Sequence, residues 1–138
     1  SAETFDVRDL EALARGVFSH MRAELDWRIE APAVNKPAAR ALLNLAQMAG
    51  AALPTGGSAH VRAVEEGQTL AVALEAEGPR ARLRPEVLAG LRGEPLGEGL
   101  HGHWVQAYYV HLVTADVGGR VFADVRDERV VFAASIPL

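Results

Sequence analysis

Residues 35–57 read Asn35-Lys36-Pro37-Ala38-Ala39-Arg40-Ala41-Leu42-Leu43-Asn44-Leu45-Ala46-Gln47-Met48-Ala49-Gly50-Ala51-Ala52-Leu53-Pro54-Thr55-Gly56-Gly57, and this stretch decides the fold. Leu42, Leu45, Ala49 and Leu53 recur at three- and four-residue intervals, which places one apolar stripe along a helix. Asn35 supplies its cap, Pro37 falls in the first turn where a missing N–H costs nothing, and Pro54-Thr55-Gly56-Gly57 ends it. The many Ala and Gly residues imply close packing against whatever lies beneath.

Upstream, Leu10, Leu13, Ala14, Val17, Phe18 and Met21 keep helical spacing between Val7 and Leu25, with Asp6 placed to cap the first turn. Glu24-Leu25-Asp26-Trp27-Arg28-Ile29-Glu30 then alternates polar and apolar until Pro32, the pattern of a half-buried strand. Downstream, Ser58–Val64 and Thr69–Glu75 have strand character and are joined at Glu66-Gly67-Gln68 as an antiparallel hairpin. The Gly- and Pro-rich stretch from Gly78 to Gly102 holds one short helix, Pro85–Leu91. A third long helix is expected from about Val105 to Asp116, ended by Gly118-Gly119, and a final hairpin pairs Arg120–Val125 with Arg129–Ala134 around Asp127-Glu128. Helices mixed with hairpins predict an α+β fold: a two-layer sandwich with helices on one face of a mixed sheet, in one domain over residues 1–138.

Composition bounds the function. The chain has 138 residues, 49% of them hydrophobic and 23% charged, enough for one buried core. A formal net charge of -4 argues against nucleic acid as a partner, because phosphate-backbone binding needs a surplus of clustered Lys and Arg. The absence of cysteine removes disulfides, thiolate metal sites and cysteine nucleophiles. No stretch has membrane-spanning length, and Ser1-Ala2-Glu3-Thr4-Phe5-Asp6 lacks the marks of a signal peptide, so a cytoplasmic location is expected.

Five segments carry a family resemblance. They are Val34-Asn35-Lys36-Pro37-Ala38-Ala39-Arg40, Leu42-Leu43-Asn44-Leu45, Ala52-Leu53-Pro54 with Gly56-Gly57, Gly78-Pro79-Arg80-Ala81-Arg82-Leu83, and Val105-Gln106-Ala107-Tyr108-Tyr109. In this order the chain resembles the ATP-binding domain of sensor histidine kinases, and more narrowly the C-terminal domain of ChpT-type histidine phosphotransferases, which keep the kinase fold without kinase chemistry. The resemblance implies a degenerate nucleotide site. Where a kinase helix offers an Asn to Mg-ATP, this chain has Met48, whose thioether is no ligand for a hard cation. Asn44 lies one turn earlier, where a bond to neighbouring backbone accounts for it. Where the kinase loop D-x-G-x-G begins with an Asp that holds adenine, the chain reads Ala76-Glu77-Gly78-Pro79-Arg80; Ala76 replaces the Asp, and Arg80 replaces the second Gly. Glu75 and Glu77 are one residue out of phase and belong to the other face of the strand. No cofactor is expected.

Gly97-Glu98-Gly99-Leu100-His101-Gly102-His103 is read as the remnant of a lid, and His101, His103 and His111 lack the spacing of a metal site. His20 is read as a helix-surface histidine, since no acid flanks it as a phosphoacceptor would require. The resemblance implies instead that the phosphoaccepting histidine lies on a helical hairpin N-terminal to this domain, the route by which the family dimerises. That hairpin is expected upstream of this chain, which would make the chain a truncated form, a proteolytic product or the C-terminal portion of a longer protein. The implied role is recognition of receiver domains, those of a hybrid histidine kinase and of CtrA-type response regulators. Arg80, Arg82 and Arg84 alternate along an extended run and complement an acidic receiver surface. Two other readings compete with this one: an ATP-using kinase of the anti-sigma type, which shares the fold, and a binding module outside phosphorelays.

Overall fold

The computed structural model describes residues 3–97 and 101–138. Its elements run β1 (Thr4–Asp6), α1 (Val7–Phe18), β2 (Ala23–Glu30), β3 (Ala33–Asn35), α2 (Lys36–Ala51), β4 (Gly57–Glu66), β5 (Thr69–Glu77), α3 (Pro85–Leu91), α4 (His101–Asp116), β6 (Arg120–Arg126) and β7 (Arg129–Pro137). Five strands form one sheet in the order β2-β4-β5-β7-β6; β2 and β4 are parallel and every other pair is antiparallel. The parallel pair is joined by the crossover through α2, a connection long enough to return the chain in the same direction. The expected α+β sandwich with a mixed sheet and helices on one face is the fold observed.

Local chemistry sets the boundaries. The Asp6 side chain accepts the Arg8 N–H at 2.7 Å to open α1, and Asn35 accepts the Ala38 N–H at 3.0 Å to open α2. Asn35 also donates to the Pro137 carbonyl at 3.0 Å, tying the start of α2 to the end of β7. The β6–β7 turn has positive φ at both Asp127 (51°) and Glu128 (63°), the primed geometry that matches strand twist.

Three expectations need correction, the first at α4, which begins at His101, four residues ahead of the expected Val105 and inside the segment read as a lid remnant. α1 stops at Phe18 instead of running toward Leu25: the Ser19 hydroxyl donates to the Gly16 carbonyl at 2.6 Å, and the N–H groups of His20 and Met21 turn back to Val17 and Phe18. The apolar period continues to Met21 because Met21 and Phe18 both pack over Gly50 of α2, where a β-carbon would collide with them. His20 therefore sits in an exposed turn, and not on a helix. The short β1–β3 pair was also unforeseen; Phe5 faces Val34 there, too few residues to leave an alternating pattern. The core lies between the sheet and the helices, with Leu42, Leu45, Val61, Leu74, Val110, Phe132 and Ile136 sealed from solvent.

Candidate functional site

The cleft that matters lies between the second half of α2, residues 78–84, α3 and α4. Met48 is 5% exposed and Ala76 is fully buried, so both positions are part of the core. Ala76 faces the helices from β5, whereas its neighbours Glu75 and Glu77 face the opposite side of the sheet and bind Arg129 at 3.2 and 2.6 Å. A carboxylate one residue away thus cannot reach the cleft without reversing the strand.

Gly78 keeps its glycine for a packing reason. A β-carbon there would run into the Gly56 carbonyl and crowd Leu53 and Gly57, so the loop and the Gly56-Gly57 turn can approach only without side chains. Beyond it the Arg82 N–H donates to the Ala52 carbonyl at 3.0 Å, fastening residues 78–84 to the end of α2. The expected run of alternating arginines is shortened by this arrangement. Arg80 lies in a turn closed by the Ala81 N–H to Gly78 carbonyl bond at 3.3 Å, Arg82 is exposed on extended backbone, and half-buried Arg84 precedes Pro85 at the start of α3. Among the described residues none of the three arginines makes an ion pair within 4.0 Å.

The floor of the cleft is Met48, Ala52, Leu83, Val87 and Phe132, and the enclosed space is about 20 Å³. A pocket for a ligand of nucleotide size needs several hundred Å³, at least about 300. Its rim is cationic and polar: Arg82, Arg84, His103 and Gln106. Gln106 has a structural task that the sequence did not announce. Its amide donates to Asn44 at 3.2 Å and to Gln47 at 3.0 Å, while Asn44 donates to the Arg40 carbonyl at 2.8 Å. This clasp ties α4 to α2 beside the cleft. Asn44 and Gln47 gave a faint signal, two polar residues three apart on one helix, but the partner on α4 is 59 residues away in sequence.

Of the lid remnant, Glu98, Gly99 and Leu100 and the side chain of His101 lie outside the described residues. His111 Nδ1 is 3.2 Å from the Leu91 carbonyl, and Tyr108 stacks between Trp104 and His111 with centroid separations of 4.7 and 5.9 Å. Tyr109 is the exposed ring of the pair. The described residues contain no cluster of three or more His, Asp or Glu placed for a metal, and no described helix is long and apolar enough to cross a membrane.

A second charged centre sits on the open face of the sheet, and sequence reading missed it. Asp26 accepts from Arg62 Nη2 at 2.6 Å, lies 2.8 Å from His60 Nδ1, and has Arg28 Nε at 3.4 Å. The hydrogen bonds from Arg62 and then His60 hold the Asp26 carboxyl well below the usual carboxylate range. Only the parallel β2–β4 register, which sets Asp26 beside His60, assembles it.

An α+β sandwich with the fold of histidine-kinase catalytic domains and a narrow cleft of about 20 Å³ beside α2 defines the class. Within it, residues 7–129 match the model of the histidine phosphotransferase C-terminal domain, and the chain belongs to that family. It is similar to protein phosphotransferase ChpT of Brucella abortus (strain 2308), 26% identical over 129 residues that cover 94% of this chain and 62% of the relative. A solved bacterial phosphotransferase superposes with a TM-score of 0.84 at 26% identity, over 95% of this chain and 64% of that one. The chain therefore spans a little under two thirds of the length of these relatives. The catalytic domain of histidine kinase ThkA (TM-score 0.74, 18% identity, 99% and 95% covered) and mycobacterial sensor histidine kinase MprB (0.75, 19%, 99% and 97%) share the fold.

Proposed function

We propose that this domain serves a phosphorelay histidine phosphotransferase as a docking element without ATP chemistry, working beside a helical hairpin that carries the phosphoaccepting histidine. Its partners on this reading are receiver domains, of a hybrid histidine kinase and of CtrA-type response regulators, and its setting is the cytoplasm. The observation that carries the reading is the converted cleft: Met48, Val87 and Phe132 fill its floor to about 20 Å³, while Arg82 and Arg84 remain at its mouth. A surface that no longer admits an anionic nucleotide but still presents cations suits an acidic protein face, where rim charges steer encounter and fix register. Arg80 adds a third cation beside them, exposed like Arg82.

Two measurements test it. Titration with Mg-ATP in a calorimeter is expected to give no saturable heat, and a micromolar affinity would restore the kinase reading. The hairpin-containing protein is then assayed for retention of receiver domains, wild type against the triple variant Arg80→Glu, Arg82→Glu, Arg84→Glu. Retention is expected to fall about tenfold or more, the scale at which truncated rim and hot-spot charges act. Unchanged retention would remove these arginines from the interface.

A further inference from the structure

The side of the sheet away from the helices is a second surface, and strand register fixes its pattern. Each row across the sheet joins one residue from every strand. One reads Glu24, Ser58, Glu77, Arg129, Arg126; the next reads Asp26, His60, Glu75, Val131, Asp124. A third reads Arg28, Arg62, Ala73, Ala133, Phe122, and a fourth Glu30, Val64, Ala71, Ser135, Arg120. The last two rows have a small, apolar middle, with Phe122 52% and Val64 36% exposed beside it. An open depression of about 460 Å³ lies over Arg28, Arg62, Val64, Ala71 and Ala73. A shallow apolar centre with a charged border is the anatomy of a protein interface.

The border charges choose the occupant. Three of the four rows have complementary ends: Glu24 against Arg126, Glu30 against Arg120, and the Arg28 cation against the Phe122 ring; the second row ends in two acids, Asp26 and Asp124. We infer that this face pairs with the same face of a second copy of the chain, about a two-fold axis running along the strands above β5. That axis maps β2 of one copy over β6 of the other and returns each row onto itself reversed. Glu24 and Glu30 then meet Arg126 and Arg120 of the other copy, and Arg28 meets Phe122, a cation–π geometry. Ala71 and Ala73 lie on the axis, small enough for two sheets to approach to about 10 Å, a gap that facing Glu and Arg side chains span. Of the like charges such packing would bring together, Asp26, Glu75 and Glu77 are already answered within each copy, and Asp124 shares Arg126 with Glu24 of the other copy. Asp26 is bound by Arg62 and His60, Asp124 lies 3.4 Å from Arg126, and Glu75 and Glu77 are paired with Arg129. A closed, isologous contact of this kind requires a self-complementary patch, which the reversed rows supply.

A charge-swap experiment on the 138-residue chain tests the pairing by sedimentation velocity across a concentration series, with circular dichroism as the folding control. The wild type is expected to show a reversible monomer–dimer equilibrium. The variant Glu24→Arg, Glu30→Arg and the variant Arg120→Glu, Arg126→Glu should each weaken self-association at least tenfold, since each makes both row ends alike. Mixed in equal amounts, the two variants should pair again, because each then faces an opposite partner at both ends. A wild type that stays monomeric to about 1 mM, a dissociation constant at which association free energy is near 4 kcal/mol, would overturn the inference. A dimer insensitive to both variants would overturn it, and so would two weakened variants that do not rescue one another.

Discussion

The two faces of this sheet are made by the same five strands under opposite rules. On the helix-covered face, Val61, Leu74, Ala76, Phe132 and Ile136 are excluded from water and every side chain answers to its neighbours' volume. On the open face, Asp26, His60, Arg62, Glu75, Glu77 and Arg129 answer to charge, and small residues fill the middle. The difference teaches where the chemistry of the fold went. The cleft between α2, α3 and α4 opens on the covered side and is governed by packing: Met48 and Ala76 belong to the core, and Gln106 bridges α4 to α2.

The sharpest break in this comparison uses two phenylalanines one strand apart. Phe132→Ala on the covered side should cost about 3–5 kcal/mol of unfolding free energy in a urea titration, and Phe122→Ala on the open side, measured at a dilution where the chain is monomeric, should stay within about 0.5. Equal effects at that dilution would mean that the open face is packed within the single chain. Gly78→Ala comes next. Its β-carbon meets the backbone of the Gly56-Gly57 turn, and about 1–3 kcal/mol is expected, whereas the same change at solvent-facing Gly16 should stabilise α1 by about 0.5–1 kcal/mol. Met48→Asn restores the residue type a kinase would carry, but it places a carboxamide among Ala52, Leu83 and Val87. Thermal unfolding should report a loss of about 1–3 kcal/mol, and calorimetry no gain of Mg-ATP binding, because Ala76 and the filled floor remain.

The smallest effect is expected at Asp26, and it sharpens the contrast through pH. Its carboxyl is held below the usual range in the folded chain, so the unfolded chain takes up the proton more readily and acid favours unfolding. The stabilisation is complete above the ordinary carboxylate value of about 4 and is lost as pH falls through the folded value. Asp26→Asn should therefore flatten the acid limb of a stability–pH curve and leave the covered face undisturbed in hydrogen exchange. An unchanged acid limb would show that the Arg62 and His60 bonds to Asp26 contribute nothing in solution.

Much of the covered face was legible in the amino-acid order. The stripe Leu42, Leu45, Ala49, Leu53 and the cap Asn35 are local signals, and they gave α2 nearly to the residue. The short helix Pro85–Leu91 was equally plain, since Pro and an apolar turn mark it without help from afar. Met48 and Ala76 could be singled out because a motif fixes which residue type each position should hold. The end of α1 was hidden, because Met21 continues the helical period while packing from a turn.

What the sequence determined by itself was whatever depends on neighbours in the chain: helix stripes, caps, hairpin turns, and the residue types missing from a nucleotide motif. The tertiary structure alone decided the Gln106 clasp on Asn44 and Gln47, the closure of the cleft to about 20 Å³, and the Asp26–His60–Arg62 cluster on the far side of the sheet. These joins link residues tens of positions apart, and their partners are chosen by strand register and helix packing. Each such choice is a sum over the whole core; for the cluster, a shift of one residue in strand register would turn Asp26, or His60 and Arg62, to the opposite face.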